Sequence, residues 1–88
     1  MSNQARRAVV AALIKLAGSP GYRDRADAGR SLANFAEMPE AREPLLELVL
    51  DAGDTFVTRA TAEALLRRQD SAGLAVVASA LAAATPDH

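Results

Sequence analysis

Four breaks cut this chain of 88 residues into short segments: Gly18-Ser19-Pro20-Gly21, Pro39, Gly53-Asp54 and Asp70-Ser71. Between them apolar residues recur at helical spacing, and no alternating β-branched run of useful length appears. An all-α chain of five helices follows. Helix 1 covers residues 3 to 17 and stops at Gly18, suited to the residue after a helix C-cap. Helix 2 spans 24 to 37. Helix 3 opens on Pro39, a good first-turn residue because its missing N–H would have been unpaired anyway, and ends before Gly53. Helix 4 follows Asp54 as N-cap and runs to 69; helix 5 follows Asp70 or Ser71 and stops before Pro86.

Connections of a few residues place consecutive helices side by side and antiparallel, as stacked helical hairpins. Setting Leu32 on Leu65 gives an offset of 33 residues, which brings Leu45-Leu46 near Val76-Val77 because the second hairpin has a loop about two residues shorter. A period in the low thirties with two helices per unit predicts a short α-α solenoid. The single domain then divides into an N-terminal helix (1–18), a first unit (22–53) and a second (54–86).

The segment 54–70 resembles the first helix of a HEAT repeat, with Asp54, Val57, Arg59, Ala60, Ala62, Ala64 and Leu65 in place. Helix 2 is a poorer copy carrying Arg25, Ala28, Gly29 and Leu32, with Asp24 at the valine position; residues 41–54 resemble the second helix of such a repeat. The resemblance implies an adaptor or scaffold, the usual role of bacterial proteins of this kind. It also brings in phycobilin lyases and DNA glycosylases with HEAT-like repeats. Two units offer little surface for a tetrapyrrole, and a chain without Trp or a basic concentration suits neither enzyme.

Composition removes further classes. Ten basic and eleven acidic residues are interspersed, so there is no field to draw a polyanion. Two Phe, one Tyr and no Trp leave little for base stacking. Nucleic acid is therefore disfavoured; a binder of it would use Arg6, Arg7, Arg23, Arg25, Arg67 and Arg68. No cysteine is present, which removes disulfides and thiolate chemistry and fits a cytoplasmic protein. The sole histidine is His88, so no Ser-His-Asp constellation stands on a rigid frame, and no metal or phosphate motif assembles. The reading is a non-enzyme without cofactor. The two arginines before the first apolar run mimic a signal peptide, but Lys15 interrupts that run. No uncharged stretch approaches the ~20 residues needed to cross a bilayer.

Surface patterns supply the candidate sites. Arg59, Glu63 and Arg67 form a charge ladder on helix 4, as do Arg23, Asp27, Arg30 and Asn34 on helix 2. Arg25 projects on the apolar side with Ala28, Leu32 and Phe35, so it either pairs with a carboxylate of the neighbouring unit, such as Asp54, or snorkels to solvent as an exposed first-turn side chain. On helix 3, Leu45, Leu48, Val49 and Ala52 face the core while Glu40, Glu43, Glu47 and Asp51 line the opposite side. That acidic row is either neutralised by neighbouring arginines or left for a basic partner. Helix 5 carries no charge from Ser71 to Ala84. With Leu74, Val77, Ala78 and Leu81 packed inward, Ala72, Val76, Ser79 and Ala83 form an outer face of small apolar residues. Terminal repeats normally present a polar outer face, so a partner is expected there: a second copy making a homodimer, or the next repeat of a longer parent of which this chain is the N-terminal piece.

Overall fold

The structure is a computed structural model, which describes residues 2–51 and 53–84. It contains α1 (Asn3–Ala17), α2 (Tyr22–Leu32), a 3-10 turn (Ala33–Phe35), α3 (Pro39–Val49), α4 (Thr55–Arg67) and α5 (Ser71–Ala84), with no strand among the described residues. The caps explain the boundaries. Ser2 Oγ accepts from the Ala5 N–H at 3.1 Å, Asp54 Oδ1 from Phe56 N–H at 2.9 Å, and Asp70 Oδ1 from Gly73 N–H at 3.0 Å. Pro39 opens α3 as expected. Helix 2 differs: it begins at Tyr22, and from Ala33 the chain tightens into the 3-10 turn instead of continuing to 37. Ala52 and residues 85–88 lie outside the described residues, so the expected core role of Ala52 and the end of helix 5 near Pro86 do as well.

Helices two apart in the chain lie side by side and run in the same sense. Near the start of α1, Arg7 meets Glu40; near its end, Ile14 and Ala17 share a cleft with Glu47, Leu48 and Asp51. Tyr22 packs edge-on against Phe56, Gly29 abuts Thr61, and the Ala33 carbonyl receives Arg68. Val49 of α3 and the C-cap residue Leu50 line a groove with Ala80 and Leu81 of α5. Consecutive helices are therefore antiparallel. The odd helices form one row and the even helices a second, an arrangement compatible with a helical repeat.

The two rows enclose a core whose largest fully buried side chains are Leu32, Leu45, Leu65, Val10, Val57 and Val76. Leu32 and Leu65, equated by the 33-residue offset, are both fully buried. The tightest helix approach is α2 on α4. A methyl group on Gly29 would overlap the Thr61 side chain, whose hydroxyl is buried and donates to the Val57 carbonyl at 2.9 Å. Thr61 thereby satisfies its polar atom within its own helix and lends only its bulk to the contact.

Candidate docking surface

The uncharged helix α5 is turned differently from its expected orientation. Gly73, Val76 and Ala80 are its buried residues, whereas Leu74 and Leu81 are 55% and 66% exposed. Of the four residues expected outside, Val76 is in the core, Ala72 and Ser79 are half-buried, and Ala83 is exposed. The cause is Gly73. Any side chain there would overlap the Leu65 carbonyl, so α5 crosses α4 closely at this point, and the residues following Gly73 on the same face, Val76 and Ala80, are carried inward. Leu74 and Leu81 rotate outward as a result.

That rotation builds an aliphatic face. Val49, Leu50, Thr58, Ala62, Val77, Ala80, Leu81 and Ala84 line a groove of about 290 Å³ between α3, α4 and α5, with almost no polar surface. Leu66 continues the i, i+4 stripe of Thr58 and Ala62 on α4 and is 49% exposed; Leu74 continues the stripe of Val77 and Leu81 on α5. On α4 the covered counterparts of these positions lie one unit earlier. Gly29 of α2 and Ala33 of the 3-10 turn are buried against α4. By the offset of 33 residues they correspond to Ala62, which is half-buried, and to Leu66, which is 49% exposed.

The acidic row is half consumed. Glu40 pairs with Arg7 at 3.5 Å. Asp51 is bound by Arg25 at 3.0 Å, accepts from the Gly53 N–H, and through its carbonyl receives the Thr58 hydroxyl. Glu43 and Glu47 are exposed, and among the described residues neither has an ion-pair partner. Arg25 therefore has a carboxylate partner, but it is Asp51 rather than Asp54. Asp54 is committed to capping α4, while Asp51, just past the end of α3, lies within reach of α2. The Nε of Arg25 holds Asp51, and its Nη1 donates to the Ser19 and Pro20 carbonyls at 3.0 and 2.8 Å, tying α2 to the turn before it.

Arg68, grouped in the sequence with the candidate nucleic-acid contacts, is a structural staple. It donates to the Ala33 carbonyl at 2.7 Å, to Glu37 at 2.9 Å and to Asp70 at 2.8 Å, with only 17% of its side chain exposed. The Asp70 carboxyl is held below the usual range by Arg68 and then by the Gly73 N–H. At Glu37 partial burial acts upward, but a backbone N–H, Arg68 and Arg6 together outweigh it, and its carboxyl is also lowered. The only sign of this in the sequence was the alternation Arg68-Gln69-Asp70 at a helix junction. The remaining arginines are mostly engaged too: Arg6 with Glu37, Arg7 with Glu40 and Arg67 with Glu63, while Arg23 and Arg30 lie over the rings of Tyr22 and Phe56. The expected ladders are present in part, as Asp27–Arg30 at 3.1 Å and Glu63–Arg67 at 3.9 Å.

A second cleft of about 350 Å³ lies between α1, α2 and α3, walled by Ile14, Ala17, Pro44 and Leu48 and closed by the Arg25–Asp51 pair. Among the described residues no group of acidic or imidazole side chains is gathered as a metal site would require, and no helix is long and apolar enough to cross a membrane. No protein-family model, no curated protein and no solved structure matches the chain.

Proposed function

We propose that the chain is a non-enzymatic, cytoplasmic interaction module of HEAT-like, α-solenoid type, which docks another protein through the aliphatic face of α4 and α5. The observation that carries this reading is the groove of Val49, Leu50, Ala62 and Val77, extended by half-exposed Leu66 and Leu74. Two rows of parallel helices spaced in the low thirties support the repeat assignment, as does the HEAT-like pattern of α4. Isolated leucines on a surface are ordinary; a contiguous aliphatic strip along two helices is the mark of an interaction site.

Affinity capture with the wild-type chain, with Leu66→Glu/Leu74→Glu and with Glu43→Lys/Glu47→Lys tests the reading. Bound proteins should be lost with the leucine pair and kept with the glutamate pair. Identical protein sets from all three chains overturn the aliphatic face as the docking site, and loss with the glutamate pair alone transfers the role to the acidic row. A second reading rests on the same face: because its covered counterparts lie one unit earlier, a further helical pair would stack there, and the chain would be a structural unit of a longer solenoid. Nucleic-acid binding finds little support, since five of the six candidate arginines pair with carboxylates and Arg23 is bonded to Tyr22. A labelled duplex should stay unbound even at low salt.

A further inference from the structure

We propose that α1 is a hinged strap held by an ionic latch, which opens as a unit while α2 to α5 stay folded. The inference concerns α1 and its seam with α3, and does not rest on the docking reading. Across its 15 residues α1 buries only Val10, whereas each of the other four α-helices buries three or four residues. Leu13, Ile14 and Ala17 are only partly buried. The seam with α3 is open on either side of that valine. Ile14 and Ala17 face Pro44 and Leu48 across the cleft of about 350 Å³, and Asn3 and Arg7 face Met38 and Pro39 across another of about 190 Å³. Burial that elsewhere spans several turns is here concentrated on one side chain, so the free energy holding α1 is small beside that of the whole fold.

The two ends of α1 are held in different ways. At the C-terminal end, the turn after Gly18 is bound to α2: Arg25 Nη1 donates to the Ser19 and Pro20 carbonyls, and the Ser19 hydroxyl donates to Asp24 at 2.8 Å while accepting from the Gly21 N–H. None of these bonds uses a side chain of α1, so they survive its release and make the turn a fixed pivot. At the N-terminal end, Arg6 pairs with Glu37 and lies over the Phe35 ring, and Arg7 reaches Glu40 at 3.5 Å. Both pairs are solvent-accessible, and salt therefore weakens them. Their release strands no buried charge, because Glu37 keeps Arg68 and Glu40 is exposed. Opening bares an apolar flank of Phe35, Met38 and Leu48. The latch thus decides whether that flank is covered, and ionic strength acts on the latch.

Native-state amide exchange, followed residue by residue, tests the proposal. In the wild type, amides of residues 8–16 should share one protection factor, at least ~10-fold below those of α2 and α4, with little dependence on urea below the unfolding transition. Raising NaCl from ~0.02 to ~0.5 M should lower the protection of α1 about 3- to 10-fold. In Arg6→Gln/Arg7→Gln most of that salt dependence should be gone. Val76→Ala removes buried methyl groups from α5 and lowers global stability. It should reduce protection in α2 and α4 yet leave α1 unchanged, because α1 opens without the rest. Circular dichroism checks that both variants fold. Protection in α1 equal to that of α2 and α4, a parallel fall in all helices with Val76→Ala, or a graded loss from the N-terminal end as in simple fraying overturns the strap. A wild type indifferent to salt, or a double arginine variant that keeps the full salt dependence, overturns the latch.

Discussion

Gln69 holds the one positive φ of a non-glycine residue among the described positions, at 55°. It follows the C-cap Arg68 of α4, where the chain turns sharply so that Asp70 can cap α5. A side chain in this left-handed conformation carries a steric cost that glycine avoids, so Gln69→Gly should raise stability by about 1 kcal/mol, read as a higher urea midpoint. Gly29 is the reverse case. Gly29→Ala should cost about 1–3 kcal/mol through overpacking, since Thr61 occupies the space a methyl would need. Val76, expected on the outer face, is instead in the core. The same 31-residue shift that pairs Leu45 with Val76 assigns Val76 to the core, because Leu45 faces inward on α3. The local pattern of α5 could not supply this: a helix apolar on every side has no preferred face. Val76→Glu should bury an unpaired carboxylate and unfold most of the chain by circular dichroism. Its effect on association would report stability, not contact.

At the scale of the elements, the five helices and their caps were legible because breaks and caps are local chemistry: Pro39 as a first-turn residue and Asp54 as an N-cap need no knowledge of the rest of the fold. The early end of α2 was not legible. Its last turn is drawn into a 3-10 turn whose Ala33 carbonyl is claimed by Arg68, a partner 35 residues away. The exchange of Asp54 for Asp51 beside Arg25 has the same origin, since two carboxylates three residues apart differ only in what the folded chain brings near them. Arg68→Met should cost about 1–3 kcal/mol, because it leaves the Ala33 carbonyl and two carboxylates without their shared donor. The same staple sets a dependence on pH. Glu37 and Asp70 have lowered carboxyls in the folded chain, so their contribution is present above the unfolded carboxyl range, near ~4, and is lost as pH falls through the lower folded values. Urea midpoints between neutral and acid pH should fall for the wild type below that range. In Arg68→Met the fall should be shallower, since the largest cause at Asp70 is gone.

For the molecule as a whole, the period in the low thirties was the most informative signal, because the two leucines it equates, Leu32 and Leu65, are both fully buried in the all-helical fold. It could not predict how α5 turns about its own axis, which Gly73 decides by meeting a backbone carbonyl. Of the residues expected on the outer face of α5, Val76 is therefore in the core and Ala72 and Ser79 are half-buried. The two-row order has a further consequence, for how the chain reaches its native state. All the main packing contacts join helices no more than two apart in the sequence. The main packing steps then close loops of similar, moderate length, and their entropic cost is nearly the same along the chain. The main refolding phase should lie in the microsecond-to-millisecond range by stopped or continuous flow, with X-Pro isomerisation as the source of any slower phase. A chain assembled this way can begin at α2 and α4 and grow outward in either direction, so the two end helices, α1 and α5, should exchange their amide protons before α2 and α4.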